Sequence, residues 1–224
     1  MIELAQNRTI VFRKGPPRLS LTVPPISKSA WLECLGAMTE IEGNVEVGPA
    51  VIALLERVAI AVGGYPDTVD DQGLLSKIPW NHRAAYAHAL ASACEISSDA
   101  VSRRNGEKVI RLQSFWGAPE NGGTVRHKDL VHVFKVPSIQ QILNFRRGFA
   151  PAQTVRTDRR ERGSGTITRD PLAGRMCSAI YDEFVVRVEG YAFNGAALGN
   201  DRDLIVNAMD TYHKVIAAGM LIVG

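Results

Sequence analysis

The side chains of this sequence that could act as bases or bind metals are widely scattered. His82 and His88 lie six residues apart on a predicted helix. At about 100° per residue this spacing puts them on different faces, so a shared metal ion is not expected. The other three histidines, His127, His132 and His213, have no ligand pattern around them and are predicted at surface or hairpin positions.

The acidic side chains do not form a catalytic pair either. Asp182 and Glu183 are neighbours on a predicted helix and therefore diverge, while Asp70 and Asp71 lie in a predicted loop where carboxylates are usually solvated. The sequence has no phosphate loop, dinucleotide fingerprint, nucleophile elbow, zinc-protease motif or EF-hand loop. Because no nucleophile, base and orienting group can be named together, we predict a non-enzymatic protein without catalytic, cofactor-binding or metal-binding residues.

The cysteines give no sign of a disulfide or a zinc site. Cys34, Cys94 and Cys177 are far apart and occur in no CxxC or Cys/His arrangement. We predict three reduced thiols, each on the apolar face of a helix.

A basic segment is the one local feature that could bind a charged partner. Between residues 146 and 175 there are eight arginines and three acidic residues. Three interpretations are open: a solvated loop, a contact with an acidic protein surface, or a contact with nucleic acid phosphates. Residues 155–175 contain no aromatic side chain, so stacking on bases is not expected. The candidate partner-binding residues are Arg156, Arg159, Arg160, Arg162 and Arg169.

The composition is that of a globular protein. Of the 224 residues, 46% are hydrophobic and 22% are charged, with a formal net charge of +3. These values argue against wholesale disorder. The first residues lack the apolar core of a signal peptide, and no apolar run approaches the roughly 18 residues of a membrane span. We therefore expect a soluble, cytosolic protein.

The elements that must position these residues follow from hydrophobic periodicity. The alternating stretches 8–14 and 18–23 flank Gly15-Pro16-Pro17 and predict a β-hairpin, with Leu19, Leu21 and Val23 on one face. Pro24-Pro25 ends the hairpin, and Ser27 is the candidate cap of a first helix. A second helix is predicted over 49–62 and a third over about 79–93.

The second half repeats this order. Strands are predicted over 107–117 and 130–136, then a helix over about 139–149, aligned with the first half at an offset of 113 residues. After an insertion the offset becomes 126 and pairs Gly64-Tyr65 with Gly190-Tyr191. Each of these glycines is predicted to end a helix in a left-handed conformation, with the tyrosine ring turned back onto its last turn.

These patterns predict an α+β fold of two tandem ββααα units, a hairpin followed by three helices in each, consistent with an internal duplication. The first unit spans 1–96, a linker 97–106, and the second unit 107–224 with the Arg-rich insertion at 150–175. The alternative to a duplication is a chance alignment, because any two amphipathic helices can be shifted in sequence until their apolar residues coincide. The repeat is marked by Gly64, Tyr65, Gly190 and Tyr191.

Three stretches of the first unit are VPPISKSAWLECLGAM, LLERVAIAVGGY and IPWNHRAAYAHAL. In these stretches the first unit resembles the tail assembly chaperones of tailed bacteriophages. It implies a non-enzymatic protein that coats a long helical tape-measure protein until tail-tube subunits replace it. The second unit and the Arg-rich insertion depart from that pattern.

We therefore expect a phage-type tail assembly or tail structural protein that acts through protein–protein binding. Its partners would be other tail proteins, the tape measure or the tail tube, and it could form oligomers, because duplicated units can match a repeating partner. It would be found in the host cytoplasm, in the virion tail, or in both, without membrane association. The alternative function is a nucleic-acid-binding module that uses residues 156–175.

Overall fold

The computed structural model describes residues 1–13, 19–37, 39–41, 44–46, 48–65, 78–91, 94–104, 106–117, 124–148, 166–168 and 171–223. In this part of the chain the fold is α+β, with helices packed against one four-stranded and three three-stranded sheets. No helix within it is both long enough and apolar enough to cross a bilayer.

The first half of the chain begins with a hairpin and continues with helices. Its elements are β1 (Ile2–Glu3), β2 (Arg8–Arg13), β3 (Leu19–Val23), α1 (Lys28–Ala37), β4 (Thr39–Ile41), β5 (Asn44–Glu46), α2 (Gly48–Val58), β6 (Ala61–Gly63) and α3 (Trp80–Ala91).

The predicted hairpin is confirmed. β2 and β3 pair antiparallel with Ile10 opposite Leu21, and Leu19, Leu21 and Val23 are buried on one face. Ser27 caps α1 as expected, because its hydroxyl accepts a hydrogen bond from the amide of Ala30 at 3.3 Å. The sequence alone therefore located both the sheet face and the start of the first helix.

The second half has the same opening order. Its elements are β7 (Cys94–Arg104), β8 (Glu107–Gly117), β9 (Thr124–Lys135), α4 (Ile139–Gly148), β10 (Thr166–Thr168), α5 (Pro171–Phe184), β11 (Val185–Glu189), β12 (Tyr191–Phe193), β13 (Ala196–Ala197), α6 (Arg202–Ala208) and α7 (Thr211–Val223). α4 starts with a capping box, in which Gln141 N donates to Ser138 Oγ and Ser138 N donates to Gln141 Oε1.

The prediction that the second helix of each half runs up to the Gly-Tyr pair is wrong. α2 ends at Val58 and α5 ends at Phe184. Each helix is followed by a strand, β6 or β11, that joins the sheet of the preceding hairpin, β2–β3 or β8–β9. We call β6 and β11 the third strands. β6 pairs antiparallel with β3, with Val62 opposite Leu21, and β11 pairs antiparallel with β9, with Val188 opposite His132. The residues at these positions are rich in valine, which favours strands. Their backbones pair with β3 and β9, and the helix prediction did not take this pairing into account.

Gly64 and Gly190 therefore end strands, and neither ends a helix. Both have the positive φ that was predicted for them, +80° and +89°. A β-carbon on Gly190 would lie 2.9 Å from Leu130 Cδ2 and 3.3 Å from the carbonyl oxygen of Asp129. The close approach of β9 adds a second reason for glycine at that position.

The predicted unit boundaries also change. Most of the segment 97–106, predicted as a linker, belongs to β7, which pairs antiparallel with β8. Its polar composition suggested a loop, but in a hairpin strand side chains can face solvent on alternate positions. Ile2 and Glu3, which were assigned to the first unit, pair in parallel with Tyr191 and Ala192 of the second half. The N-terminal strand thus crosses between the halves.

Two hydrophobic cores lie beneath the sheets, one in each half. The first surrounds Trp31, Leu21 and Leu55, and the second surrounds Phe134, Tyr181 and Ile205. The Tyr212 ring packs against both cores. The halves are therefore joined by side-chain packing as well as by the chain.

Candidate functional site

A buried network of histidines and tyrosines fills the second core. β9 supplies His132, α5 supplies Tyr181, and Tyr191 follows Gly190. The Tyr181 hydroxyl lies 2.8 Å from His132 Nδ1, and the Tyr191 hydroxyl lies 2.8 Å from His132 Nε2. The Tyr191 hydroxyl also lies 2.9 Å from His213 Nδ1 at the start of α7. Ser114 Oγ of β8 continues the network, 3.4 Å from His213 Nε2.

Both histidines are held in the neutral form. Burial lowers the pKa of His213 to about 4 and lowers the pKa of His132 well below its usual value, and burial raises the pKa of Tyr181. A neutral imidazole donates one hydrogen bond and accepts one, which matches its position between two hydroxyl groups. The network therefore bridges β9, α5 and α7 by hydrogen bonds without placing a charge in the core.

The Ser114–His213 pair is not placed to act as a nucleophile and base. Both side chains are buried, with exposures of 0% and 1%. A substrate carbonyl would have to approach within about 3.5 Å of the serine oxygen. In the described part of the chain both atoms are enclosed, and the pair contributes a buried hydrogen bond between β8 and α7.

The histidine predictions are corrected by this network. His127 and His132 lie in the strand β9 of a hairpin, as predicted, but His132 is fully buried there and His127 is half-buried. His213 is at neither a surface nor a hairpin position, because it is buried at the start of α7. The missed signal was the alternation of Leu130, His132 and Phe134, which puts His132 on the buried face of its strand. Its partners lie 49 and 59 residues away in sequence, so no local pattern could reveal them.

Tyr65 occupies the corresponding place in the first half. Its hydroxyl lies 3.1 Å from His82 Nδ1 and 3.2 Å from the Tyr86 hydroxyl, both on α3. The ring was predicted to turn back onto the preceding helix, but it reaches the following helix, as Tyr191 does. His88, also on α3, is exposed. Within the described ranges no three His, Cys, Asp or Glu side chains are grouped as a metal site would require.

A cleft of about 230 Å³ lies where the two halves meet. We call it the central cleft. One wall comes from the first half, including Val23, Ile26, Lys28 and Trp31, and the other comes from the turn between α6 and α7. The residues lining this second wall are Val206, Asn207, Ala208, Met209, Asp210, Thr211 and Lys214.

Trp31 is the main contact across the central cleft. Its ring stacks on Tyr212 with centroids 4.9 Å apart and planes 14° from parallel. Its Nε1 donates to Asp210 Oδ2 at 3.3 Å. Only 2% of Trp31 is exposed, so this large apolar side chain is almost fully used in joining the halves.

Asp182 adds an ionic contact beside the central cleft. Its carboxylate accepts from Lys214 Nζ at 2.6 Å and from Lys28 Nζ at 3.0 Å, so one acidic side chain joins α1, α5 and α7. Burial lowers the pKa of Lys214, and the hydrogen bond from its ammonium group to Asp182 opposes that shift. Glu183 is exposed, and the two neighbouring carboxylates diverge as predicted.

Two surfaces on opposite halves carry exposed apolar side chains. The α4 surface consists of Val136, Ile139 and Leu143, which are 43%, 79% and 38% exposed. α4 is attached beneath this surface by Phe145, whose ring lies 5.9 Å from Phe184 of α5. The α3 surface consists of Trp80, Asn81 and His88, and Trp80 is 58% exposed.

The remaining predicted site residues can be placed only in part. Arg156, Arg159, Arg160, Arg162 and Arg169 lie outside the described residues, as do Asp70 and Asp71. Cys34 on α1 and Cys177 on α5 are free thiols, and burial raises the pKa of each to about 11. Cys94 lies in β7, whereas a helix was predicted, because a β-hairpin replaces the expected linker.

Comparison of this chain with protein-family models, with curated proteins and with solved structures gives no match.

Proposed function

We propose that this chain is a phage-type tail assembly or tail structural protein that acts by binding other proteins and carries out no catalysis. The proposal combines the resemblance in the first unit with the surfaces that the fold leaves uncovered. Its partners would be tail proteins, either the tape measure or the tail tube.

The observation that carries the proposal is the α4 surface, where three apolar side chains are exposed together, and the α3 surface adds the exposed ring of Trp80. Single exposed hydrophobic residues are common, but adjacent ones on a helix usually mark a contact with another molecule. On the α4 surface, Ile139 and Leu143 are four residues apart and therefore lie on the same side of the helix. An amphipathic helix presented in this way is a common means of binding a protein partner.

We also propose that the two halves are copies of one ancestral unit. When β1, β4, β5, β7, β10, β12 and β13 are set aside, both halves share the order hairpin, helix, helix, third strand and closing helix, with α6 and α7 together closing the second half. In both halves the third strand pairs antiparallel with the second hairpin strand. A glycine with positive φ then precedes a tyrosine whose hydroxyl bonds to the closing helix. These shared details support duplication more strongly than the alignment of apolar residues does.

Mass spectrometry of purified phage particles from a culture that produces this chain tests the proposed function. A structural tail protein should give abundant peptides in intact particles. An assembly protein should be absent from particles but should co-purify with the tape-measure protein when the two are co-expressed. Absence from particles together with no binding to the tape-measure or tail-tube protein would contradict the proposal.

The alternative function is nucleic acid binding by the Arg-rich segment. If five arginines contact phosphates, the affinity should fall steeply with salt, by several factors of ten between about 50 and 200 mM. A fluorescence titration of labelled duplex DNA and of single-stranded RNA at several salt concentrations measures this dependence. The matched variant replaces Arg156, Arg159 and Arg160 with glutamine. Binding that is absent at low salt, or that is unchanged in the variant, would eliminate this alternative.

A further inference from the structure

Each wall of the central cleft has a counterpart in the other half of the chain. At the offset of 113, the wall formed by residues 23–31 corresponds to residues 136–144, which include the α4 surface. At the offset of 126, the wall formed by residues 206–214 corresponds to residues 80–88, which include the α3 surface. Inside the molecule, residues 23–31 face residues 206–214 across the central cleft. Their counterparts, residues 136–144 and 80–88, do not line this cleft.

The exposed hydrophobic side chains coincide with these two unmatched walls. Among the described residues, the large hydrophobic side chains that are exposed are Met1, Ile60, Trp80, Val136, Ile139 and Leu143. Four of these six lie on the α4 and α3 surfaces. Val23, the counterpart of Val136, is only 1% exposed because it lies in the first hydrophobic core and lines the central cleft. Ile26, the counterpart of Ile139, is half-buried and also lines the central cleft. Both copies of the wall therefore carry apolar side chains at these two positions.

From this placement we propose that the α4 surface of one chain docks on the α3 surface of a second copy of the same chain, in the way that the two halves meet inside each molecule. The inference rests on the proposed duplication and deepens the proposed function, since it names a second copy as a partner. The contact joins two different surfaces, so it is heterologous and leaves a free surface at each end of a dimer. Further copies add in the same direction and close into a ring or continue as a filament.

The side chains at the two contacts differ in detail. Asn144 stands at the position of Trp31, and Tyr86 is fully buried whereas Tyr212 is half-buried. The stacked aromatic pair of the central cleft is therefore not repeated. In its place Trp80 on one copy faces Ile139 and Leu143 on the next. In the central cleft α1 supplies the tryptophan ring, whereas in the proposed contact α3 supplies it. In both cases a large flat ring is buried against the facing surface.

Two single variants and their mixture test this inference. Wild-type protein should self-associate with rising concentration in sedimentation velocity or light scattering. Ile139→Glu removes the α4 surface and Trp80→Glu removes the α3 surface, and each should weaken self-association about tenfold or more, because a charge would be buried without a partner. Each variant keeps the surface that the other lacks. Their equimolar mixture should therefore form a one-to-one dimer and no larger species.

Ile60→Glu is the matched control, because Ile60 is an exposed hydrophobic residue outside both surfaces. It should associate as the wild type does, and circular dichroism should show that all three variants remain folded. The inference is overturned if the wild type stays monomeric up to about 100 µM, where even weak contacts are populated. It is also overturned if the mixture does not form dimers, or if the control loses association equally.

This result is separate from the test of the proposed function. A chain that self-associates but is found neither in particles nor with a tail partner would contradict the proposed function alone. A chain that is found in particles but stays monomeric in solution would contradict the self-association alone.

Discussion

At the scale of single residues, buried histidine and tyrosine side chains join strands and helices that are far apart in the sequence. Local patterns in the sequence located Ser27 as a helix cap and the positive φ of Gly64 and Gly190. They missed the burial of His132 and His213, because a histidine can be buried only when it has hydrogen-bond partners, and these partners lie on strands and helices that are distant in the sequence. A histidine without a local motif looks like a surface residue until its hydroxyl partners are known.

The neutral histidines should make the protein sensitive to acid. A histidine in the unfolded chain has a pKa of about 6.5, whereas burial lowers the pKa of His213 to about 4. Between these values the unfolded chain binds more protons, so the free energy of unfolding falls as the pH falls, by about 1.4 kcal/mol per pH unit for this one group. The loss should start near pH 6.5 and end near pH 4.

The variant His213→Gln should make this dependence shallower by about one proton. Denaturant unfolding at several pH values between 4 and 7 measures how the free energy of unfolding changes with pH. The matched control is His88→Gln, because His88 is an exposed residue of α3. His88→Gln removes an exposed histidine, so comparison of the two variants separates the effect of a buried histidine from that of an exposed one. Equal slopes for His213→Gln and the wild type would show that His213 is protonated in the folded state.

At the scale of elements, the sequence predicted the hairpins and helices better than the third strands. Alternation located β2 and β3, and capping residues located α1 and α4. β6 and β11 were read as the ends of helices, because an apolar run of four or five residues fits both periodicities. What decides the outcome is the ladder with β3 and β9, which is a contact between residues more than 30 positions apart.

The strand reading of Gly190 leads to a testable difference between two glycines. Gly190 and Gly195 both have positive φ, at +89° and +79°. A β-carbon at Gly190 would press on Leu130 and on the backbone of Asp129, whereas at Gly195 it would meet nothing within 4 Å. Gly195→Ala should lose about 1–2 kcal/mol from backbone strain alone. Gly190→Ala should lose about 1 kcal/mol more, because the neighbouring strand must shift.

Chemical denaturation of the two alanine variants measures both losses under the same conditions. If the losses are equal, the approach of β9 is not what requires glycine at position 190, and the left-handed conformation is a sufficient reason. If Gly195→Ala has no effect, then the strain at positive φ is relieved by movement of its exposed turn.

At the scale of the whole molecule, the two halves are bound to each other by side-chain packing and by short strands, including the antiparallel pairing of β10 with β4. Tyr212 packs against both cores, Trp31 stacks on it, and Asp182 holds lysines from both halves. β1 adds a backbone contact by pairing with β12 across the halves. The contacts between the halves were not predicted, since the pairs Lys28–Asp182, Trp31–Tyr212 and Ile2–Tyr191 each join residues more than 150 positions apart. The predicted linker also suggested that the units could stand apart.

This coupling predicts that wild-type protein unfolds in one transition and that Trp31→Ala weakens both halves. Removing a nearly fully buried tryptophan should lower the free energy of unfolding by about 3–5 kcal/mol. It should also let the second half, with its own core and histidine network, unfold at higher denaturant than the first. Circular dichroism, which reports on both halves, and the fluorescence of Trp80, which lies in the first half, would then give separate midpoints. Trp80→Ala is the control and should change stability by less than about 1 kcal/mol, because Trp80 is 58% exposed. Coincident midpoints in Trp31→Ala would mean that the remaining contacts, through β1, Asp182 and the β4–β10 pairing, are enough to keep the two halves a single cooperative unit.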